Sequence, residues 1–503
     1  MNLAELATEI KASVATGQLG CDALDVTHDS RACRPGSIFV AIRGEKIDAN
    51  RFVGQAVANG AVAIISESPR ASIGAPACRT LPVWLRVENS RIALARAAAA
   101  VYRHPSERLK LVGITGTNGK TTTAHLIDSI IRASEGTSAM FGTINHRVGD
   151  EATVAMNTTP EASDIQRMLA RAVTAGCRSA VMEVSSHAIE LHRADALKFE
   201  IAVFTNLTRD HLDYHGTMEN YFEAKAKLFT GALGSEPKVS IINTDDEYGR
   251  RLFGSAKGDR ISYGFGNRTD VGTNDFKLSP RGLEFTAGTP LGEVEIFSPL
   301  VGRFHVYNIL GAIATGLALG ASLENIARGV AECRTVSGRF EQVTLSGSKA
   351  MPFTVIVDYA HTDDALKNVL QTAREVAGDS GRVITVFGCG GDRDRTKRGP
   401  MGEIAASLSD LAVVTSDNPR TEDPEAIIAD IEVGLRRTAR PYVKLTDRRE
   451  AIRGAIEQAR EGDVVVIAGK GHETYQVIGE QRIHFDDHEV ASEAMISRQH
   501  EVR

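Results

Sequence analysis

The sequence predicts an α/β protein of three domains built around parallel sheets. Its 503 residues correspond to about three domains at ~150 residues each. Short β-branched runs alternate with stretches rich in Ala, Leu and Arg, and glycine is frequent, with 46 residues. This alternation is typical of parallel strands joined by helices. We expect the domains to span residues 1–105, 106–338 and 339–503.

The first domain is predicted to begin with a short amphipathic helix in the segment MNLAELATEIKAS. His104-Pro105 marks its end, because the residue before a proline disfavours the helical region. Strands are predicted at residues 36–40, 61–65 and 84–87, and helices at 52–59 and 91–102.

The second domain opens with a strand that runs into a Gly-rich turn and a helix. The third begins near Gly338-Arg339, and each of its strands is followed by a helical stretch. In the second domain we predict strands at 109–115, 179–184, 201–205 and 239–243, helices at 121–133 and 307–320, and an antiparallel patch at 270–300. In the third we predict strands at 353–359, 383–388, 411–416 and 464–469.

Composition and charge argue against several classes of protein. Lys and Arg total 58 against 64 Asp and Glu, a net charge of −6, which argues against a broad nucleic-acid-binding surface. No apolar run reaches the ~18 residues of a membrane span, and no signal peptide is visible. The six cysteines are scattered without a CxxC unit, so we expect a reducing, cytoplasmic location.

The Gly-rich turn is predicted to bind nucleotide phosphate. Gly116 and Gly119 let backbone N–H groups approach phosphate oxygens, and the following helix adds its positive dipole. Lys120 can reach the β- and γ-phosphates, and the Thr121 hydroxyl can bind Mg²⁺. The general GxxxxGK[ST] template fails by one position, because Ile114 stands where it needs glycine; a plain Gly-rich turn is the alternative. Without a guanine-reading NKxD string, ATP is favoured over GTP.

Polar side chains also follow other predicted strands. Glu183 ends one strand and is a natural Mg²⁺ ligand, with a helix-cap acid as the alternative. Two acids and two histidines fall within residues 210–215, whereas Lys225 alone looks like a surface lysine. In the third domain, polar clusters at 358–361, 387–394, 417–420 and 469–473 follow four strands. Together they indicate a binding site at one edge of the sheet.

These motifs, in their order, resemble the Mur ligase family, and most closely its diaminopimelate-adding members. The strings are GTNGKTT, EVSSHA, TNLTRDHLDYHG with YFEAK, VSGRFE, DYAHT, GCGGDRDRTKR, SDNPR and GKGHE, preceded by Asp29-Ser30-Arg31. The resemblance spans about residues 27 to 476. It implies an N-terminal nucleotide-sugar-binding domain, a central phosphate-loop ATPase-like domain and a C-terminal Rossmann-like domain.

The implied activity is ATP-dependent amide ligation in peptidoglycan precursor synthesis. The D-Glu carboxylate of UDP-N-acetylmuramoyl-L-alanyl-D-glutamate would take the γ-phosphoryl group of ATP, and the amine of meso-diaminopimelate would displace phosphate from the acyl phosphate. Mg²⁺ and a carbamylated lysine are the implied cofactors, and we expect a monomer. Arg420 would favour meso-diaminopimelate over L-lysine, because arginine pairs with the additional carboxylate.

The resemblance also assigns site residues by motif position. Catalytic roles are expected for Lys120, Lys225 and His211. ATP contacts are expected at Gly116, Thr117, Asn118, Gly119, Lys120, Thr121, Thr122, Asn308, Arg339 and Asp358. Mg²⁺ ligands are expected at Thr121, Glu183, His211 and carbamylated Lys225. UDP-muramoyl contacts are expected at His28, Ser30, Glu45, Lys46, Ile47, Asn157, Thr158, Thr159, Ser185 and Arg193. Amino-acid contacts are expected at Arg393, Asp417, Asn418, Pro419, Arg420, Gly469 and Glu473.

Two positions depart from the family pattern. Leu191 stands where the family often has Gln, which removes one polar substrate contact, and Asp363 stands where it has Pro. We expect Asp363 to cap a helix. The open alternatives are a lysine-adding or D-Ala-D-Ala-adding ligase, a folyl-polyglutamate synthase, and a nucleotide-regulated binding protein without ligase chemistry.

Overall fold

Three α/β units follow one another along the chain, each with its own mainly parallel sheet. The computed structural model describes residues 1–44, 47–70, 82–266, 268–279, 281–345 and 351–501. The prediction of an α/β protein with parallel sheets is confirmed. None of the helices in these ranges combines the length and apolar character that a membrane crossing needs.

The N-terminal unit has five strands in the order β1-β5-β4-β3-β2, in which β1 alone is antiparallel to its neighbour. The core lies between this sheet and an Ala-rich helix whose Asn89 side chain caps its first turn. Its elements are α1 (Leu3–Glu9), β1 (Val14–Thr16), β2 (Asp25–Thr27), β3 (Ser37–Ala41), α2 (Val53–Ala58), β4 (Ala61–Ser66), β5 (Val83–Arg86) and α3 (Ser90–Val101).

The central unit carries a twelve-stranded sheet, whose parallel core has the order β14-β13-β12-β11-β6-β10-β7. Its first half contains β6 (Lys110–Thr115), α4 (Lys120–Glu135), β7 (Ala139–Phe141), β8 (Asn145–Val148), β9 (Glu151–Val154), α5 (Ala162–Thr174), β10 (Ser179–Glu183), α6 (Ser186–Glu190), β11 (Ile201–Phe204), α7 (Leu212–His215) and α8 (Met218–Ala226). Its second half contains β12 (Val239–Asn243), α9 (Glu247–Ser255), β13 (Asp259–Phe265), β14 (Val271–Thr273), β15 (Lys277–Ser279), β16 (Gly282–Thr289), β17 (Gly292–Ser298), α10 (Phe304–Leu319) and α11 (Leu323–Glu332).

The phosphate-loop strand lies in the middle of this sheet. β6 pairs with β10 on one side and β11 on the other, so the loops after all three strands meet at one edge. Their strands are buried on both faces, which explains their continuous apolar runs. The predicted antiparallel patch is present as β15, β16 and β17.

The C-terminal unit has a six-stranded sheet of order β18-β19-β23-β20-β21-β22, parallel except for β18. A separate hairpin, β24-β25, follows β23. The elements are β18 (Glu341–Gln342), β19 (Thr354–Asp358), α12 (Asp363–Ala377), β20 (Val383–Phe387), α13 (Arg398–Leu408), β21 (Leu411–Val414), α14 (Pro424–Leu435), β22 (Tyr442–Lys444), α15 (Arg448–Gln458), β23 (Val464–Ala468), β24 (Tyr475–Ile478), β25 (Gln481–His484) and α16 (Asp487–Glu501).

Candidate active site

The predicted phosphate loop connects β6 to α4 and requires glycine at two positions. Gly116 has a φ of +150°, and a Cβ there would lie 1.8 Å from the Thr205 hydroxyl. Gly119 has a φ of +86°, and a Cβ would lie 2.4 Å from the side-chain oxygen of Asn308. Both glycines therefore allow the loop to pack against neighbouring segments in a backbone conformation that other residues rarely adopt.

Lys120, the first residue of α4, folds back over this loop. Its Nζ donates to the carbonyl oxygens of Gly116 and Thr117 at 3.0 and 2.8 Å. Burial lowers the pKa of Lys120, while the carboxylates of Glu183 and Asp210 oppose that shift. The ammonium is held where phosphate oxygens can replace the two carbonyls as its partners.

Glu183, at the end of β10, is a buried carboxylate with hydroxyl partners. Its Oε2 accepts from Thr121 Oγ1 and Thr143 Oγ1, each at 3.0 Å, and its Oε1 accepts from the Thr143 N–H at 2.8 Å. Arg339 Nη2 donates to the same Thr121 hydroxyl at 3.1 Å. A carboxylate beside a hydroxyl is a hard oxygen set that fits Mg²⁺ once phosphate oxygens add to it. In the described ranges no group of three or more His, Cys, Asp or Glu side chains could hold a metal by itself.

Lys225 is buried inside the protein, although its residue type alone suggests a position on the surface. Only 1% of it is exposed, and its Nζ donates to Gly116 O at 2.8 Å. The ammonium nitrogen also lies 4.5 Å from the centre of the Tyr221 ring. Burial and the nearby Lys120 hold the pKa of Lys225 well below its usual range.

A group of aromatic rings surrounds this lysine. His187 packs against His211 and His215, with ring centres 4.7 and 5.5 Å apart, and His215 packs on Tyr221 at 4.9 Å. Burial lowers the pKa of His211 to about 3 and that of His215 to about 4. Both imidazoles are therefore neutral at physiological pH.

Asp210 connects His211 to the C-terminal unit. One carboxylate oxygen lies 3.3 Å from His211 Nε2 and 3.7 Å from His361 Nε2. Burial favours a higher pKa for Asp210, but the hydrogen bond and charge of His361 outweigh it and hold the pKa well below its usual range. The structure thus pairs His211 with a carboxylate, and its role as a metal ligand stays a prediction.

All the residues predicted to contact ATP except Gly116 line one cavity of 1060 Å³ between the central and C-terminal units. Asn308 accepts from the Thr123 hydroxyl at 3.3 Å. Asp358 accepts the N–H groups of Phe340 and Ala360 at 2.6 and 2.7 Å, and burial raises its pKa. The guanidinium carbon of Arg339 lies 4.7 Å from the centre of the Tyr359 ring.

Polar contacts join the phosphate-loop side to the start of α12. Asn118 Nδ2 donates to Asp364 at 3.0 Å, and Arg209 pairs with Asp363 at 3.0 Å. The expectation that Asp363 caps this helix is wrong, because the Thr362 hydroxyl is the cap and accepts from Ala365 N. Asp363 is the first helical residue, where its negative charge interacts favourably with the helix dipole. From this position its carboxylate reaches Arg209 in the central unit.

Most predicted UDP-muramoyl contacts on the central unit cluster around Thr159. Its hydroxyl donates to Glu183 O at 2.9 Å and accepts from the Ser185 N–H at 3.1 Å, and its carbonyl accepts from Arg193 Nη1 at 3.1 Å. Thr158 Oγ1 accepts from Thr143 Oγ1 at 3.1 Å, whereas Asn157 is exposed. Glu161, which sequence analysis missed, pairs with Arg193 at 2.8 Å.

The predicted contacts on the N-terminal unit do not cluster as those around Thr159 do. Ser30 is buried and donates to the Gln55 side chain at 2.8 Å, and among the described residues the buried Nδ1 of His28 has no hydrogen-bond partner. Ile47 is 52% exposed. The predicted contacts at Glu45 and Lys46 lie outside the described residues.

The predicted amino-acid site lies where β19, β23, β20 and β21 end side by side. Arg420 adopts a φ of +51°, and its Nη1 donates to Gly391 O at 2.7 Å. Burial and the nearby Arg393 lower the pKa of Arg420. Gly469 brings its backbone against Asp417, where a Cβ would lie 2.6 Å from the carboxylate.

A buried lysine, which sequence analysis did not select, lies behind this site. Lys470 is fully buried and contacts Asn418 and Glu473 at 3.2 and 3.3 Å, with Asp417 at 3.9 Å. Its position within GKGHE could have suggested a role, but a lysine between two glycines carries no burial signal in the sequence.

The loops that carry Gly338 and Gly471 cross in direct backbone contact. A Cβ on Gly338 would lie 2.2 Å from the His472 nitrogen, and one on Gly471 would lie 2.7 Å from the Cβ of Tyr359. The rings of Tyr359 and His472 are 5.0 Å apart. Arg339 follows Gly338 directly and Glu473 follows Gly471 by two residues, so the crossing holds both side chains close to it.

Comparison with known proteins gives consistent matches along the chain. Family models match for the Mur ligase family, catalytic domain (residues 25–104), the Mur ligase middle domain (114–316) and the Mur ligase, glutamate ligase domain (338–471). The UDP-N-acetylmuramoyl-L-alanyl-D-glutamate–2,6-diaminopimelate ligases of Solibacter usitatus and Geobacter metallireducens are 48% and 46% identical to it, over 98% of both chains in each case. A solved structure of a ligase of that name is 33% identical over 99% of both chains, with a TM-score of 0.67.

Proposed function

Because this chain belongs to the Mur ligase family, we propose that it joins meso-diaminopimelate to UDP-N-acetylmuramoyl-L-alanyl-D-glutamate at the expense of ATP. The observation that carries the substrate choice is Arg420. Its guanidinium is partly buried beside Arg393, in the unit that also closes the phosphate-loop cavity. A planar cation in such a pocket pairs well with the carboxylate that distinguishes diaminopimelate from lysine.

In the first step, the D-Glu carboxylate attacks the γ-phosphorus of ATP, and ADP leaves. Two anions must approach each other, so cations at the reacting phosphate are required. Lys120 and Arg339 supply two, since both already contact the loop or its first helical turn. Thr121 and Glu183 would hold Mg²⁺, which when bound neutralises charge on the transferred phosphoryl group.

In the second step, the unprotonated amine of the amino acid attacks the acyl carbon and inorganic phosphate leaves. The acyl phosphate must be shielded from water until that amine arrives. The contacts of Asn118 and Arg209 with the start of α12 support an arrangement in which the two units approach each other over the intermediate. Domain closure would then gate the reaction.

Lys225 is proposed to react with CO₂ and form a carbamate. The neutral amine is the reactive form, and the lowered pKa of Lys225 raises its fraction at neutral pH. The ammonium first releases one proton, and the neutral nitrogen then bonds to the CO₂ carbon and releases a second, so the side chain changes from a cation to an anion with two oxygens. That anion would add a hard ligand beside the phosphate loop, where a free ammonium would repel Mg²⁺.

The three units would divide the work. We assign residues 1–105 to the UDP-muramoyl substrate, 106–338 to ATP and 339–503 to the amino acid, in a protein that acts as a cytoplasmic monomer. His28 and Ser30 support the assignment of the first unit, and the Thr159–Arg193 contact extends the UDP-muramoyl site into the central unit. The strand-end pocket around Arg420 supports the assignment of the last unit.

Phosphate release from ATP tests this function directly. We expect full release only when UDP-muramoyl dipeptide and meso-diaminopimelate are both present, with much weaker turnover for L-lysine or L-ornithine. Equal turnover with lysine would favour the lysine-adding alternative. Release that does not depend on either substrate would contradict ligase activity.

A further inference from the structure

The charged group behind the amino-acid site forms a closed ring of hydrogen bonds. Lys470 Nζ donates to Asn418 Oδ1 at 3.2 Å and to Glu473 Oε2 at 3.3 Å. Asn418 Nδ2 completes the ring by donating to the same Glu473 oxygen at 2.9 Å. Lys470 is completely buried and Asn418 is buried, whereas Glu473 is partly exposed, so the ring connects the interior to the surface of the site.

The ring determines how the Asn418 amide is oriented. Lys470 offers only donors, and the Val477 N–H also donates to Asn418 Oδ1, at 2.9 Å. With its oxygen turned toward these two donors, Asn418 must point its nitrogen at Glu473. A side chain at position 470 that cannot donate would remove one of the two donors that hold the amide oxygen.

The ring also determines which oxygen of Glu473 is engaged by protein donors. Oε2 receives both Lys470 and Asn418, while in the described part of the chain Oε1 has no hydrogen-bond partner. Lys470 also lies 3.9 Å from Asp417, so one buried cation faces two carboxylates. Burying charge is costly unless it is paired, and this arrangement pairs it while leaving one acceptor open.

We propose that Lys470 is a positioning residue that fixes Asn418 and Glu473 so that Glu473 Oε1 accepts the distal ammonium of the amino-acid substrate. This inference rests on the proposed function, because it assigns the part of the diamino acid that Glu473 recognises. Arg420 distinguishes the substrate by its distal carboxylate, and the Lys470 ring distinguishes it by the ammonium on the same carbon.

The test compares Lys470→Met with wild type on two amino acids, meso-diaminopimelate and 2-aminopimelate, with ATP and UDP-muramoyl dipeptide as the common substrates. We expect kcat/KM for meso-diaminopimelate to fall about 30-fold or more, since a recognition carboxylate loses its partner. The KM values for ATP and UDP-muramoyl dipeptide should stay within about threefold. With 2-aminopimelate, which has the distal carboxylate but no distal ammonium, the variant and wild type should differ by less than about threefold.

Arg382→Met provides the matched control. It removes the cation partner of another buried carboxylate, Asp463, at 2.6 Å, but at the opposite end of the same sheet. A loss of stability alone should therefore affect both variants, and only Lys470→Met should change the preference for meso-diaminopimelate over 2-aminopimelate. Lys470→Arg, which keeps a buried donor, should recover part of that preference.

The outcomes separate the two proposals. Wild type that does not ligate meso-diaminopimelate would overturn the proposed function. Active wild type with an unchanged preference in Lys470→Met would overturn the positioning role. If Lys470→Met does not fold, Lys470→Gln, a neutral donor of similar length, must lose the preference; an unchanged preference there overturns the role equally.

Discussion

Lys225 and Lys470 are both buried, yet their surroundings differ in charge. Lys225 lies beside another cation, Lys120, and its ammonium donates to the neutral carbonyl of Gly116. Lys470 faces the carboxylates of Asp417 and Glu473. Equal burial therefore places one lysine where its positive charge is disfavoured and the other where that charge is matched.

The difference indicates two kinds of chemistry. A lysine that loses its proton easily is a nucleophile, and in the central unit this suits reaction with CO₂. A lysine held between carboxylates is a fixed cation, and in the C-terminal unit this suits the orientation of recognition groups. Neighbouring charge, more than burial, decides which of these roles a lysine can take.

The largest expected effect is on activity, when Lys225 is replaced. Lys225→Ala should reduce kcat by about 10³-fold, because the negative charge of the proposed carbamate, which helps to position the reacting phosphate, is lost. A short-chain carboxylate should restore part of the activity and bicarbonate none, as measured by phosphate release. Lys227→Ala, which removes a half-exposed lysine paired with Glu190 at 2.6 Å, should stay within twofold. Full activity in Lys225→Ala would contradict the carbamate proposal.

The second effect is a pair of opposite stability changes. Lys470→Met leaves two carboxylates without their cation and should cost about 3–5 kcal/mol of unfolding free energy. Lys225→Met removes an unmatched buried amine and should be neutral or stabilising by about 1 kcal/mol. Gly116 O keeps Lys120 as a donor at 3.0 Å, so no carbonyl is left without a partner. Denaturant unfolding of the full chains in CO₂-depleted buffer measures both.

The sign of the pH dependence follows from the Lys225 pKa. It is lower in the folded chain than the ordinary 10.5, so at neutral pH the unfolded chain binds more protons. The unfolding free energy of wild type should therefore rise between pH 7 and pH 9 relative to Lys225→Met. A wild-type slope equal to or lower than that of the variant would contradict an amine that is easily deprotonated.

A third effect concerns specificity in the C-terminal unit. Arg420→Ala should lower the ratio of kcat/KM for meso-diaminopimelate over L-lysine by about 30-fold or more, because the distal carboxylate loses its paired cation. Arg395→Ala, which removes an exposed arginine of the same unit, should leave the ratio unchanged. An unchanged ratio in Arg420→Ala would assign the carboxylate to another group.

The smallest effect is expected where the central unit contacts the start of α12 in the C-terminal unit. Asp363→Pro restores the residue type that the family pattern has at the first position of α12, which accepts proline. It removes the pair with Arg209, a partly exposed contact worth about 0.5–1 kcal/mol. The KM for ATP should change less than threefold, and small-angle scattering should still show compaction with nucleotide and UDP-muramoyl dipeptide.

Arg209→Gln should give the same change in the KM for ATP, and combining it with Asp363→Pro should give no further change. A tenfold change, or no compaction in wild type, would contradict this view of closure.

The phosphate loop could be predicted from the sequence because its parts are adjacent in the chain. The residues that form it lie within five positions of one another: Gly116, Gly119 and Lys120. The flanking strand and helix can be predicted from the apolar pattern alone. The strand predicted at 239–243 coincides with β12. Buried parallel strands give continuous apolar runs that are easily distinguished from surrounding loops.

The missed elements lack that signal. The β8-β9 hairpin and β25 have no buried residue, so no alternation of apolar and polar positions marks them. The burial of Lys225 depends on Gly116, 109 positions away, and the Lys470 ring depends on Asn418, 52 positions away. Such contacts depend on the order of strands in the sheet, which local patterns do not specify.

The crossing of the Gly338 and Gly471 loops has a consequence for inhibition. Backbone atoms there leave no room for a Cβ, so substitution at either glycine would force apart the loops that position Arg339 and Glu473. A small molecule that bound over this crossing would contact main-chain groups, whose chemistry a point mutation cannot change. Resistance would then have to arise at the rim of the site, where side chains are free to vary.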